Sequence, residues 1–290
     1  MNPRMIAAVF AALAVVAAPA LADWDPGDPY KMHYPQLPDL TSRGLDVLAG
    51  PRPIQTPGAA LTEKFLADDW LCTASGPVAD IHIWGSYNED QLLLTDPGRT
   101  LFSLVIFDNV PAGPGANFSH PGVPLWSAYV RPEKARIYAN ANERFYDPNT
   151  DQIIGIDTQV WQFNFRFPEA TAFQQKRGDI YWLGVHHTLD LDENGAVDVM
   201  DLSRLVSVFP AAFGWKTSGV QQFMDDAVWA DVVTLNADPH VVPQIVDWHP
   251  LVYPGTTESL DLAFVITPEP SCLVLVLLAA VGVITARRIR

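Results

Sequence analysis

The chain has 290 residues, 49% of them hydrophobic and only 18% charged, with 33 acidic against 18 basic side chains and a net charge of −15. A surface of that sign repels phosphate backbones and anionic lipid, which argues against direct nucleic-acid binding and leaves cations and neutral glycans as compatible partners. The length is ample to bury a core.

At the N-terminus Arg4 supplies a positive start, Ile6 to Ala18 is apolar, and Ala20-Leu21-Ala22 is a small-x-small site before the polar Asp23-Trp24-Asp25. This is the build of a secretory signal peptide over residues 1–22, a hydrophobic targeting helix cleaved between Ala22 and Asp23. Without Arg4, the three C-terminal arginines and Glu269, the exported part carries about −18. Cys72 is then the one thiol of the exported domain, since Cys272 lies in the C-terminal segment, so no internal disulfide is expected. Its apolar setting after Trp70-Leu71 suits a buried, inert cysteine.

From Asp25 to Pro57 the chain holds Pro26, Pro29, Pro35, Pro38, Pro51, Pro53 and Pro57. So many fixed φ angles and missing donors predict irregular coil wrapped over the domain. Runs rich in β-branched and aromatic residues follow at Val78 to Tyr87, Thr100 to Asp108, Trp126 to Val130, Arg136 to Tyr146, Thr158 to Phe167, Ile180 to His187 and Leu260 to Ile266, punctuated by Gly/Pro turns. Repeated short strands predict an all-β, antiparallel, jelly-roll-like β-sandwich over residues 23–267. Within it Trp161, Phe163, Phe165 and Phe167 alternate with Gln162, Asn164 and Arg166, the period of a half-buried strand. Ile81, Ile83 and Gly85 against His82, Trp84 and Ser86 suit a strand covered on both faces. A short helix is expected over Met200 to Val208, and Gln221 to Val233 suits either helix or strand.

The sharpest local motif is Asp190-Leu191-Asp192-Glu193-Asn194-Gly195-Ala196-Val197-Asp198-Val199-Met200-Asp201. Calcium takes about seven hard oxygens, and a twelve-position loop supplies them from places one, three, five, seven, nine and twelve. Those places are Asp190, Asp192, Asn194, the Ala196 carbonyl, Asp198 and Asp201, with Gly195 at the sharp turn. The loop resembles that of an EF-hand and, with the run to Phe209, one half of a dockerin, inserted over residues 188–210. A strand rather than a helix precedes it and no second repeat exists, so a cohesin partner is not implied. A lone loop ending on a short aspartate predicts weak Ca²⁺ binding, with Kd on the order of 10⁻⁴ to 10⁻³ M.

Asp68-Asp69 and Asp225-Asp226 offer carboxylate pairs of the kind a glycosidase uses, but neighbours in a strand face opposite ways, and turns, caps and surface charge explain them as well. His186-His187 splits across a strand in the same way, with no nearby carboxylate or cysteine to complete a zinc set. There is no Gly-x-Ser-x-Gly elbow, His-Glu-x-x-His helix or phosphate-cradling Gly-rich loop, and no catalytic residue is assigned. Nine tryptophans raise sugar stacking, with Trp24, Trp84, Trp126, Trp182 and Trp248 as platforms, against the plainer role of filling a core.

The C-terminus reads Pro268-Glu269-Pro270-Ser271, an apolar run from Cys272 to Ala286, then Arg287-Arg288-Ile289-Arg290. About 15 apolar residues are short for a spanning helix, which needs roughly 20, and the arginines hold its end at the cytoplasmic face. Residues 268–290 resemble the PEP-CTERM sorting signal. That resemblance implies recognition by an exosortase-type protease and release or attachment outside the cell after a transient membrane stage. Five further phrases, Lys31 to Asp39, Leu66 to Cys72, Gly76 to Ser86, Phe213 to Ser218 and Asp225 to Trp229, resemble a secreted bacterial domain family of unknown function. Together these features predict a surface or matrix protein of structural or adhesive type, with extracellular polysaccharide as a candidate partner. The alternatives are a carbohydrate-binding module or a carbohydrate-active enzyme using aspartates.

Overall fold

Apolar and β-branched runs separated by glycine and proline form strands throughout the computed structural model, which describes residues 23–51, 63–92, 96–188, 190, 212–219, 223–232, 245 and 247–268. In chain order the strands are β1 Leu45–Leu48, β2 Glu63–Leu71, β3 Gly76–Val78, β4 Asp80–Tyr87, β5 Phe102–Val110, β6 His120–Val130 and β7 Lys134–Asp147. Then follow β8 Gln152–Arg166, β9 Phe173–Gln175, β10 Ile180–His187, β11 Phe213–Lys216, β12 Val228–Val232, β13 His249–Pro250 and β14 Phe264–Thr267. The all-β expectation holds. The helix expected at 200–208, the rest of the 188–210 insertion apart from Thr188 and Asp190, and the two hydrophobic targeting helices lie outside the described residues. Among the described residues no helix is long and apolar enough to cross a membrane.

Two six-stranded sheets form, ordered β11-β1-β7-β8-β4-β14 and β13-β12-β2-β10-β5-β6. The first closes on itself, because β11 pairs with β1 through Asp46↔Lys216 and also with β4 through Gly214↔Ser86. Closure removes the free edges of β11 and β4 there. Two departures from the sequence reading follow. The β1–β7 pair is parallel rather than antiparallel. β1 itself lies inside the proline-rich stretch expected to be coil, because the window between Pro38 and Pro51 has no proline and Leu45, Val47 and Leu48 are apolar enough to bury completely.

The two inner faces meet over one aromatic core. Phe102 of the second sheet packs tilted against Phe163 and edge-on against Phe213 of the first, with centroids 5.3 and 5.1 Å apart. The outer face of the second sheet is also covered, with Phe65, Val105, Phe107, Trp182 and Trp248 in a separate apolar layer. This two-sided burial gives β2 and β10 almost no exposed position. Central Gly184 of β10 has Phe65 and Phe107 against it, the Phe107 ring 2.8 Å from where a Cβ would stand. Gly184→Ala is therefore expected to cost about 1–3 kcal/mol in urea unfolding.

The alternation expected in β8 is present, yet its polar face is buried too. Gln162 Nε2 donates to the Trp24 carbonyl at 2.6 Å and Asn164 Nδ2 to Asp23 Oδ1 at 3.0 Å, so the N-terminal segment roofs that face. The segment continues as the expected wrap, bridging Met32 to Cys72, Gln36 to Phe264 and Pro38 to Ser218. Cys72 is buried, and that burial pushes its thiol pKa up, as an inert cysteine requires.

Candidate functional site

The two aspartate pairs, distant in sequence, come together at the C-terminal end of β2. Asp68 points into the core, where its Oδ2 accepts from Gln36 Nε2 at 2.8 Å and from the Leu262 amide at 2.6 Å. Asp69 takes the opposite face and is 1% exposed, and neither of its oxygens has a hydrogen-bond partner among the described residues. Burial, followed by the fields of Asp261 and Asp225, pushes its pKa up to about 8. Burial likewise raises Asp261 to about 7, although the Phe223 amide donates to its Oδ2 at 2.9 Å. Asp225 is held by the Ser119 amide and hydroxyl at 2.8 and 2.7 Å. Asp226 is raised by burial. Burial and the nearby carboxylates also raise the Tyr34 phenol to about 12. None of these five aspartates meets a lysine or arginine among the described residues.

His33 stands at the rim, its ring stacked on Phe223 at 3.8 Å and its Nδ1 accepting from the Leu71 amide at 3.3 Å. Burial holds its pKa down at about 4. Next to Asp261 opens a cleft of about 260 Å³ lined by Asp39, Arg43, Tyr253, Glu258 and Asp261 among others. Arg43 clamps Glu258 with two 2.8 Å hydrogen bonds and lies 4.5 Å from the Tyr253 ring. The Arg144 guanidinium also lies over that ring, at 5.5 Å. The cleft is polar and open, whereas Asp69 is sealed from solvent and does not line it.

A second polar nest lies inside the closed first sheet. Lys216 of β11, Asp46 of β1, Glu143 of β7 and Asp157 of β8 are all 2% exposed or less. The Lys216 Nζ is 2.5 Å from Glu143 Oε2 and 3.4 Å from Asp46 Oδ2. Oxygens of the three carboxylates lie within 4.8 Å of one another, the spacing a metal ion would need, although the lysine ammonium already occupies the cation's part. Burial, then the field of Asp46, raises Glu143 to about 9 and Asp157 to about 8. The sequence reading missed this nest. Its signal was a lone charge inside an apolar run, Asp46 in Leu45-Asp46-Val47-Leu48 and Lys216 after Phe213-Gly214-Trp215, which is rare for an ordinary surface strand.

Other expected residues fall as follows. Asp190, first of the expected calcium ligands, is buried and its Oδ2 takes the Arg131 guanidinium at 2.7 Å. Asp192, Asn194, Ala196, Asp198 and Asp201 lie outside the described residues, as do Ala22, Glu269, Pro270, Arg287, Arg288 and Arg290. Trp24, Trp84, Trp182 and Trp248 are buried, so they fill core rather than offer flat platforms. Trp126 is half-buried, with its Nε1 donating to the Thr171 carbonyl at 2.9 Å. His186 Nε2 meets Glu63 Oε2 at 2.6 Å, while His187 sits among rings on the other face.

No characterised protein and no solved structure matches the chain. Residues 32–267, which hold both polar clusters and every strand, match the family described as Domain of unknown function (DUF7901), and the chain belongs to that family.

Proposed function

We propose that the chain is an exported protein of structural or adhesive type, sorted by an exosortase-type protease to the cell surface or extracellular matrix after a membrane-anchored stage. The observation that supports this reading is that the residues just inside both expected processing points are built into the fold. Asp23, the first residue after the expected cleavage, has its carboxylate 2.6 Å from Lys134 Nζ, and Trp24 packs edge-on to Trp84 in the core. At the other end Thr267 still pairs with Asp80, and Pro268 follows directly. Residues adjoining both expected processing points are thus held by the domain itself. In a host with an exosortase the protein is expected in the surface or medium fraction, beginning at Asp23. Alanines in place of Pro268, Glu269 and Pro270 should hold it in the membrane fraction, and equal release of that variant would sink the sorting reading.

Calcium binding by Asp190, Asp192, Asn194, Ala196, Asp198 and Asp201 belongs to the same proposal. Its support is the twelve-position spacing of oxygen-bearing residues, and calcium would share or displace the Arg131 guanidinium that holds Asp190 Oδ2 at 2.7 Å. At tenfold excess over Kd, calcium adds about 1.4 kcal/mol to stability, or a few degrees in Tm for a chain of this size. The gain should vanish in Asp192→Asn. A melting curve blind to calcium in the wild type contradicts the site.

A carbohydrate-binding module is the second reading, and the cleft beside Asp261 favours it over the tryptophans. Carboxylates, hydroxyls and a tyrosine ring are the groups that hold neutral sugars, although a sugar must displace Arg43 or Arg144 to stack on Tyr253. Binding to an extracellular polysaccharide that is lost in Tyr253→Ala and unaffected by Trp126→Ala would select it. The aspartate-based enzyme is the weaker form of this reading, because Asp68 and Asp69 are each only 1% exposed.

A further inference from the structure

The nest around Lys216 combines three features seldom found together: a fully buried amine, a carboxylate directly opposite it across a strand pair, and a second carboxyl group touching the amine. Asp46 and Lys216 are register partners of the antiparallel β1–β11 pair. Their polar atoms lie 3.4 Å apart, and 170 residues of chain separate them. Glu143 Oε2, at 2.5 Å, is within proton-transfer distance of the same nitrogen. Asp46 Oδ1 and Glu143 Oε1 have no hydrogen-bond partner among the described residues.

One ammonium among three buried carboxyl groups is costly as an ion cluster, because each buried charge loses several kcal/mol of hydration. Two neutralising outcomes are open to such a cluster, namely sharing protons or condensing into an amide. Condensation removes an amine and an acid at once, and fixed neighbours reach effective concentrations of roughly 10⁵–10⁸ M.

We propose that Lys216 and Asp46 become joined by an intramolecular amide between Nζ and Cγ, formed by the folded protein itself with Glu143 as the acid–base group. Glu143, protonated in the fold, passes its proton to Asp46 and takes one from Lys216 Nζ in exchange, and the freed lone pair forms the Nζ–Cγ bond. Asp157, close to the same oxygens, donates a hydrogen bond to the oxygen that becomes negative in the tetrahedral stage. Glu143 then gives its proton to the departing hydroxyl and takes the second proton from Nζ, the Cγ–O bond breaks as the oxyanion re-forms C=O, and one water leaves with Glu143 restored. No oxidant, reductant or added cofactor is required. The product ties β11 to β1 inside the closed sheet, a covalent brace for a domain with no disulfide among its described residues.

The test is the intact mass of the purified full chain, with its termini fixed by peptide mapping. The proposal expects a deficit of one water, about 18 Da, and a proteolytic fragment in which the peptides holding Lys216 and Asp46 remain joined. Glu143→Gln and Lys216→Arg should restore the full mass. Asp46→Asn should lose ammonia, about 17 Da, because the amide nitrogen becomes the leaving group. Should Lys216→Arg fail to fold, the Asp46→Asn deficit and the joined peptides still decide the matter. Full mass in folded wild type overturns the proposal, as does a deficit that persists in Lys216→Arg. Full mass together with a melting shift in Ca²⁺, Mg²⁺ or Mn²⁺ that Asp46→Asn abolishes also overturns it, assigning the three carboxylates to a cation instead.

Discussion

Asp69→Asn is expected to melt well above the wild type at pH 8 and close to it near pH 4. Asp69 titrates at about 8 in the folded protein against 3.8 when free, because burial and the fields of Asp261 and Asp225 oppose its charge. Between those values the folded state keeps a proton that the unfolded chain releases. The unfolded state therefore binds fewer protons, and stability falls as pH rises, by about 1.4 kcal/mol per pH unit for one such group. Its contribution is complete below pH 4 and lost by the time pH passes 8. Asparagine removes that slope, and its amide can donate to the neighbouring carboxylates. The expected gain at pH 8 is on the order of 2–4 kcal/mol, read from urea midpoints across pH. Asp261, raised to about 7, should keep a slope of the same sign in the variant over a shorter window, from about pH 4 to 7. Identical pH profiles for wild type and variant would show that Asp69 is ionised in the fold, with a bound cation as its partner.

Much of the sandwich was legible because one-sided strands write their burial into a period of two. The inner face of β8 was read from that pattern, and β10 from its run of β-branched and aromatic residues. β2 was not, since both of its faces are buried and its charges are matched by groups far away in sequence: Glu63 by His186, Lys64 by Asp231, and Asp68 by Gln36 and the Leu262 amide. β1 was hidden by the prolines on either side of it. The aspartate pairs were visible as pairs, but their meeting with Asp261 depends on the last strand returning beside β4, which no local pattern encodes. The Lys216 nest needs β1, β7, β8 and β11 side by side, a pairing order set by the closure of the sheet rather than by any neighbouring residues.

The phrase Phe213-Gly214-Trp215-Lys216 carries the second large expected effect. Phe213 lies fully buried where the sheets meet, edge-on to Tyr87 and Phe163 of its own sheet and to Phe102 of the other, and stacked 5.5 Å from His187. Truncating such a ring removes its transfer energy and leaves a cavity that close-packed neighbours only partly fill, so Phe213→Ala should cost about 3–5 kcal/mol. That is a large share of the roughly 5–15 kcal/mol by which domains are stable. His187 supplies an independent readout. Burial holds its pKa down at about 3, with the charge of His186 adding to the effect, so the imidazole is neutral among the rings. Opening the space beside it admits solvent and should move that pKa upward toward 6.5, visible in its ring NMR shifts. Phe213→Leu, which keeps most of the volume at a cost on the order of 1 kcal/mol, provides a folded variant if alanine does not. An unchanged urea midpoint in Phe213→Ala, or a His187 pKa that stays near 3, would mean that the two sheets are held together elsewhere.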